Sequence, residues 1–168
     1  MLLFLMLLAG LGVMRAETAA GVRWTAPASW KVQAARPMRA ATYTVPAVAG
    51  DREDAECGVY YFGAGKGGSV EANLKRWIGQ FEPADQEAQT QKRSINGLAV
   101  TTVDVSGSYT GAGGPMATTK TIKPGFRLLG AIVDAPEGLV FIKFTGPVKT
   151  VAANQSNFEN LLKTLARQ

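Results

Sequence analysis

The 168 residues are 46% apolar and 18% charged, with scattered Lys and Arg giving a formal charge of +5; that balance excludes disorder, suits one domain with a real core, and argues against a nucleic-acid surface. Histidine is absent, which excludes Ser-His and Cys-His nucleophile systems and His-ligated zinc, copper or haem, and leaves Asp, Glu, Lys, Tyr or Cys as the available acids and bases. Cys57 is the single cysteine, so no intramolecular disulfide can form.

Leu2–Met14 is a 13-residue run without charge. It is short for a membrane span but fits the apolar core of a secretory signal. Thr18-Ala19-Ala20 supplies small residues for cleavage before Gly21, with Ala16 a second candidate. No Lys or Arg precedes the run, a departure from the signal pattern, and no cysteine follows it to support lipoprotein anchoring. The expected organisation is a signal peptide or N-terminal apolar segment over 1–20 and a single domain over 21–168, with no stable membrane span after cleavage.

Val22 begins a short strand that ends at Pro27, and Trp30 is placed to fold back over the core. Arg36-Pro37-Met38-Arg39 reads as a turn into a strand, Ala40–Val45, stopped by Pro46. The two arginines could take an anion or pair with nearby carboxylates. Asp51, Glu53, Asp54 and Glu56 crowd the next loop. They lack the alternating ligand spacing of a calcium loop, and Arg52 among them opposes a cation, so a solvated loop is expected. Cys57–Phe62 reads as a strand. Cys57 shares its parity with Val59 and Tyr61 and is expected to be buried and unreactive.

Gly63-Ala-Gly-Lys-Gly-Gly68 is literally G-x-G-x-x-G between a strand and a helix, the placement of a dinucleotide fingerprint. That fold needs a parallel strand after the helix with an acidic residue at its end. Here Gln86–Ile95 leads into a tight hairpin instead, and Lys66 is followed by Gly67 rather than the Ser or Thr of a phosphate-binding P-loop. The turn could still hold an anion at a helix N-terminus with Lys66 beside it; the plain alternative is a flexible connection. Ser69 is a good N-cap, and Val70, Leu74, Trp77, Ile78 and Phe81 fall on one helical face, with Pro83 marking the end. Glu71 and Lys75 are spaced to pair on the other side.

Asn96-Gly97 predicts a two-residue hairpin between Gln89–Ile95 and Leu98–Ser106, with continuation to Tyr109 allowed. The apolar parity changes between Val100 and Val103, which predicts a bulge near Thr101-Thr102. Thr110–Gly125 is long for a hairpin connection and rich in glycine, with Lys120 and Lys123 its only charges. It is the candidate contact surface, suited to an acidic partner, and the plain alternative is an inert mobile loop. Two apolar runs, Phe126–Val133 and Leu139–Thr145, then flank the turn Ala135–Gly138. Phe126, Leu128 and Ile132 alternate with Leu129, Ala131 and Val133, so this hairpin must be covered on both faces. A last helix carries Phe158, Leu161, Leu162 and Leu165, with Glu159 and Lys163 paired outward.

Trp24-Thr-Ala-Pro-Ala-Ser-Trp30, together with Val140-Phe-Ile-Lys-Phe-Thr-Gly-Pro147 and the helix after it, resembles the PsbP-like superfamily, and with the intervening strands the resemblance covers most of the chain after Gly21. It implies an α+β fold, a mainly antiparallel sheet covered by helices on both faces (an α/β/α sandwich), in a small exported protein without catalytic machinery. No photosystem role and no manganese or calcium site is carried over. The expected function is a non-enzymatic binding or docking module of the cell envelope, periplasmic or secreted. No cofactor or metal is expected, and the partner is a protein or small molecule rather than nucleic acid. The candidate contact residues are Lys66, Lys120 and Lys123. The alternative is a small-ligand or anion-binding protein that uses the Gly63–Gly68 turn.

Overall fold

A computed structural model describes residues 16–112 and 121–168. The first strands are β1 (Ala16–Ala19), β2 (Val22–Thr25), β3 (Lys31–Val32), β4 (Arg39–Val45) and β5 (Ala55–Tyr61), followed by helix α1 (Val70–Ile78). Then come β6 (Phe81–Ala84), β7 (Gln89–Ile95), β8 (Leu98–Ala112), β9 (Thr121–Ala135) and β10 (Gly138–Pro147). Helices α2 (Val148–Ala153) and α3 (Gln155–Lys163) and a short β11 (Ala166–Arg167) close the chain. The main sheet has eight strands in the order β3-β4-β5-β10-β9-β8, with β6 and β7 both paired to β8. A second sheet has three strands, β1-β2-β11. Every pairing among the described residues is antiparallel. The fold is mixed α+β around a mostly antiparallel sheet. β5 lies between β4 and β10, away from β7, so the glycine-rich turn is not part of a dinucleotide-binding unit.

The β9–β10 hairpin sits at the centre, as its two apolar parities require. Ala135 pairs with Gly138 across the turn. Phe126, Leu128 and Ile132 pack with Val103, Val105, Phe141 and with Trp77 of α1. Leu129, Ala131 and Val133 pack in a second core with Ile142, Phe144, and Leu161 and Leu162 of α3. Val22 and Trp24 of the small sheet and Val151 of α2 belong to this second core. Cys57 is fully buried there beside Val59 and Tyr61. Burial, then the nearby Glu56 carboxylate, push its thiol up from the usual range.

The two-core arrangement corrects the expected bulge at Thr101-Thr102. Register runs unbroken from Ala99 to Gly107, and the shifts fall between Gly107 and Tyr109 and between Tyr109 and Ala112. Leu98 and Val100 face one core and Val103 and Val105 face the other. The parity switch records a change in which face is covered, not an extra residue. The Asn96-Gly97 turn is as expected: Ile95 pairs with Leu98, and both turn residues have positive φ, 49° and 78°. Asn96 also donates to the carbonyls of Lys163 and Leu165, at 3.0 and 2.7 Å.

Three other expectations change. Helix α1 starts as predicted, with Ser69 Oγ accepting from the Ala72 amide at 3.1 Å. It stops at Ile78, and Phe81 and Pro83 belong to β6, because that segment pairs with β8. Glu159 meets Arg93 of β7 in a double hydrogen bond of 3.0 and 3.2 Å rather than Lys163. The segment Thr110–Gly125 is not a free loop throughout: β8 runs to Ala112, which pairs with Thr121 at the start of β9. Residues 113–120, and Lys120 with them, lie outside the described residues.

β1 begins at Ala16, inside the segment assigned to the signal. It pairs with β2 through a turn at Ala20 and Gly21, whose φ values are 52° and 75°. Ala20 is buried. Glu17 accepts a hydrogen bond from the buried Tyr43 hydroxyl, which in turn accepts from Trp24 Nε1 at 2.8 Å. Burial first, and then Glu17, raise the Tyr43 pKa. Cleavage before Gly21 would remove this strand, whereas cleavage after Ala16 would keep Glu17. A protein starting at Gly21 should therefore unfold at lower urea concentration than one starting at Glu17, by ~1–3 kcal/mol for the lost buried hydrogen bond and strand. Equal midpoints would show that β1 adds nothing. Cys57 should not react with a thiol reagent in the native protein within minutes, and should react at once in urea.

Candidate functional site

One charge of the central hairpin lines a cavity. Lys143 sits mid-way along β10, on the face that also carries Phe141 and Thr145. Its cross-strand partners are both glycines, Gly58 on β5 and Gly130 on β9. A Cβ at Gly58 would stand 2.8 Å from the Tyr60 ring, and one at Gly130 would stand 2.6 Å from the Trp77 ring. These rings fill the space that neighbouring side chains would occupy, and only glycine lets them lie so close to the sheet. The lysine stem therefore rises between two aromatic walls.

Above it is a cavity of about 900 Å³, bounded by the Pro37–Arg39 turn, β5, α1, the far part of β8, and β10. Phe62 and Phe141 extend the Tyr60 wall: Tyr60 and Phe62 stack with centroids 6.2 Å apart, and Phe62 meets Phe141 at 5.7 Å. Tyr109 closes the opposite side, stacked on Phe126 at 5.8 Å. The charged groups on the lining are Arg39, Arg76 and Lys143 against the single carboxylate of Glu56. Glu56 is already engaged, bonded to Arg36 at 3.1 Å and to Arg39. Arg39 also stands over the Tyr60 ring, 5.0 Å from its centroid. Arg76 donates to Asn73 Oδ1, a neutral acceptor.

Lys143 is not in an ion pair among the described residues. Its Nζ donates to Gln80 Oε1 at 2.6 Å and to the Tyr109 hydroxyl at 3.2 Å, and lies 5.3 Å from the Tyr109 ring centroid. Burial, and then the Arg76 and Arg39 charges, push its pKa down to about 8, with Glu56 partly offsetting them. Gln80 is held in turn, because its carbonyl accepts from the Thr110 amide at 2.7 Å and hydroxyl at 3.1 Å. Thr145 Oγ1, also on the lining, is buried without a hydrogen-bond partner. Chemically this is a donor-rich, acceptor-poor recess with aromatic sides.

The candidates drawn from the sequence are not brought together here. Lys66 is exposed and outside the cavity. The turn that carries it is tied down internally. Lys66 N–H reaches Gly63 O at 3.0 Å, and buried Asn73 donates to the carbonyls of Gly67 and Ser69, both at 2.8 Å. Lys123 pairs with Glu53 and stands 5.2 Å from the Phe126 ring centroid. Thr110 and Gly111, at the start of the predicted contact segment, do border the cavity. The acidic loop is spent on local structure. Asp51 caps α2 by accepting from the Thr150 amide and hydroxyl at 2.8 and 2.6 Å, and Asp54 accepts from the Ala47 amide at 2.8 Å. No group of three or more acidic or Cys side chains able to hold a metal occurs among the described residues. Lys143 was missed, although its signal is plain: one lysine within Val140-Phe-Ile-Lys-Phe144, a run otherwise buried on both faces.

Fold and site together define an antiparallel α+β protein with a cationic, aromatic-walled cavity on one face of its main sheet. The fold is PsbP-like. The chain is similar to the solution structure of cyanobacterial PsbP from Synechocystis, with TM-score 0.53 and 12% identity over 95% of this chain and 96% of that one. A Pseudomonas aeruginosa protein of unknown function is similar with TM-score 0.49 and 13% identity, over 94% of this chain and 99% of that one. No family model and no curated protein matches the sequence.

The lowered Lys143 pKa makes a pH prediction. Below pH 8 both folded and unfolded chains hold the proton, and the folded state bears the full cost of the desolvated ammonium. Between about 8 and 10.5 the unfolded chain carries more protons, so the cost is relieved as pH rises. Cys57 and Tyr109 act in the opposite sense at alkaline pH, because their pKa values are raised, that of Tyr109 to about 12, but they are common to both proteins compared. Lys143→Met should be more stable than wild type by ~1–3 kcal/mol at pH 7, with the gap closing toward pH 9.5. Urea unfolding across that range checks it; a gap independent of pH would contradict the lowered pKa.

Proposed function

We propose that this protein is an exported, non-enzymatic binding module that takes a small organic anion into the cavity between α1 and the main sheet. The observation that carries the reading is Lys143, an ammonium inside the cavity whose bonded partners are the neutral Gln80 and Tyr109. A buried charge without a counter-ion is costly, and an incoming anion would supply one. Arg39 and Arg76 add to the same field. The volume, about 900 Å³, matches cavities that enclose organic ligands rather than lone ions.

Export is supported by the uncharged Leu2–Met14 run. The non-enzymatic reading is supported by the absence of histidine from the chain. The layered reading of the fold belongs to the same proposal: α1 covers one face of the main sheet, and α2 and α3 with the small sheet cover the other. Docking of an acidic protein on the Thr110–Gly125 segment is the weaker reading, because Lys123 already has Glu53 as its partner.

Calorimetric titration with a panel of small carboxylates and phosphate esters tests the cavity. Binding should weaken at least tenfold in Lys143→Met. It should also weaken in wild type as pH rises from 7 to 9, because the anion favours the protonated lysine and the free site loses its proton near pH 8. Anion binding that survives in Lys143→Met with unchanged affinity would remove the cavity from consideration.

A further inference from the structure

We infer that the occupant is a flat aromatic molecule carrying a dianionic head, held with the head on Lys143 and Arg76 and the ring against the Tyr60–Phe62 wall. The inference rests on the reading of the cavity as an anion site and adds the chemical class. Three observations carry it.

The first is the charge balance. Among the described residues three cations, Arg39, Arg76 and Lys143, line the cavity against one carboxylate, Glu56, leaving a local charge of +2. Glu56 is matched within the protein by Arg36 and Arg39. The two cations left over, Lys143 and Arg76, bond neutral acceptors. A head with two negative charges balances them; a monocarboxylate leaves one uncompensated.

The second is the shape of the walls. Tyr60 and Phe62 are stacked 19° from parallel, both line the cavity, and both are half-buried, so each keeps aromatic surface open to an occupant. Arg39 lies on the Tyr60 ring and Lys143 near the Tyr109 ring. Ring and cation surfaces alternate around the cavity, and a flat electron-rich body can stack on both. The third is size. A phosphate or succinate ion would occupy a small part of about 900 Å³, leaving the aromatic surface in contact with water.

Carboxylate and phosphate heads share this chemistry, and the test separates them. Purified protein at pH 7 is titrated with phenyl phosphate, phthalate and a nucleoside 5′-monophosphate, and in parallel with benzoate, succinate and inorganic phosphate. At least one of the ring-bearing dianions should bind tenfold or more tighter than each of the three controls; which one binds best identifies the head and the body size. Arg76→Gln, on the exposed side of α1, should narrow the preference for the best dianion over benzoate several-fold. Tyr60→Leu should narrow its preference over succinate and inorganic phosphate. Phosphate or succinate binding as tightly as the ring-bearing dianions, but lost in Lys143→Met, would overturn the aromatic class and leave the anion site standing. Benzoate binding equal to the dianions would overturn the two-charge head. No binding by any probe, or binding indifferent to Lys143→Met, would overturn both.

Discussion

Strand β10 puts apolar side chains into both cores, and the packing of the rest of the molecule depends on it. Val140, Ile142 and Phe144 look into one core and Phe141 into the other, each at most 2% exposed. Burial of each such side chain contributes about 1.5–3 kcal/mol, so β10 anchors both cores at once. α1 contributes Trp77 on the Phe141 side. α3, α2 and the small sheet contribute Phe158, Val151 and Trp24 on the other. Trp30 completes that side, 5.1 Å from Phe144 between ring centroids. The covering changes at Lys143, where glycines on both neighbouring strands let the Tyr60 and Trp77 rings lie against the sheet on either side of the lysine stem. The cavity is thus a gap in the packing of the most buried strand, kept open by a charge that cannot be packed against hydrocarbon without cost.

Much of the local structure was legible because local chemistry decides it. Asn96-Gly97 can supply two positive φ values in succession, so the turn and the register of β7 against β8 follow from two residues. Ser69 offers a hydroxyl to a free amide, so α1 begins where expected. Cys57 shares its parity with Val59, so its burial follows from the strand period. Where an outcome depends on the partner element, the sequence was silent. The parity switch in β8 can mean a bulge or a change of covered face, and only the placement of α1 and α3 distinguishes them. Phe81 fits a helical stripe as well as a strand, and its pairing with β8 decides between the two.

The candidate site was less legible than the fold. Its charged groups come from β4, β5, α1 and β10, far apart in the chain, and no spacing rule connects Arg39 to Lys143. The glycine-rich motif drew attention because it is contiguous, yet its polar groups are consumed in holding its own turn. The acidic loop reads as solvated, and its carboxylates also serve as a helix cap and as partners for distant basic groups. Lys143 could have been noticed by asking why one charge interrupts a run buried on both faces.

The three-stranded sheet carries a consequence for how the chain comes to be folded. Its middle strand, β2, pairs with β1 within the first ten described residues and with β11 at Ala166–Arg167. The two ends of the described chain are stitched together, with Gln168 N–H bonded to Gly21 O at 3.0 Å. During synthesis from the N-terminus, Val22 and Trp24 emerge early and must wait for α3 and β11 before their burial is complete. Loop closure over that distance is slow relative to local hairpin formation. The edge of β2 that faces β11 consequently stays unpaired until Ala166–Arg167 has been made.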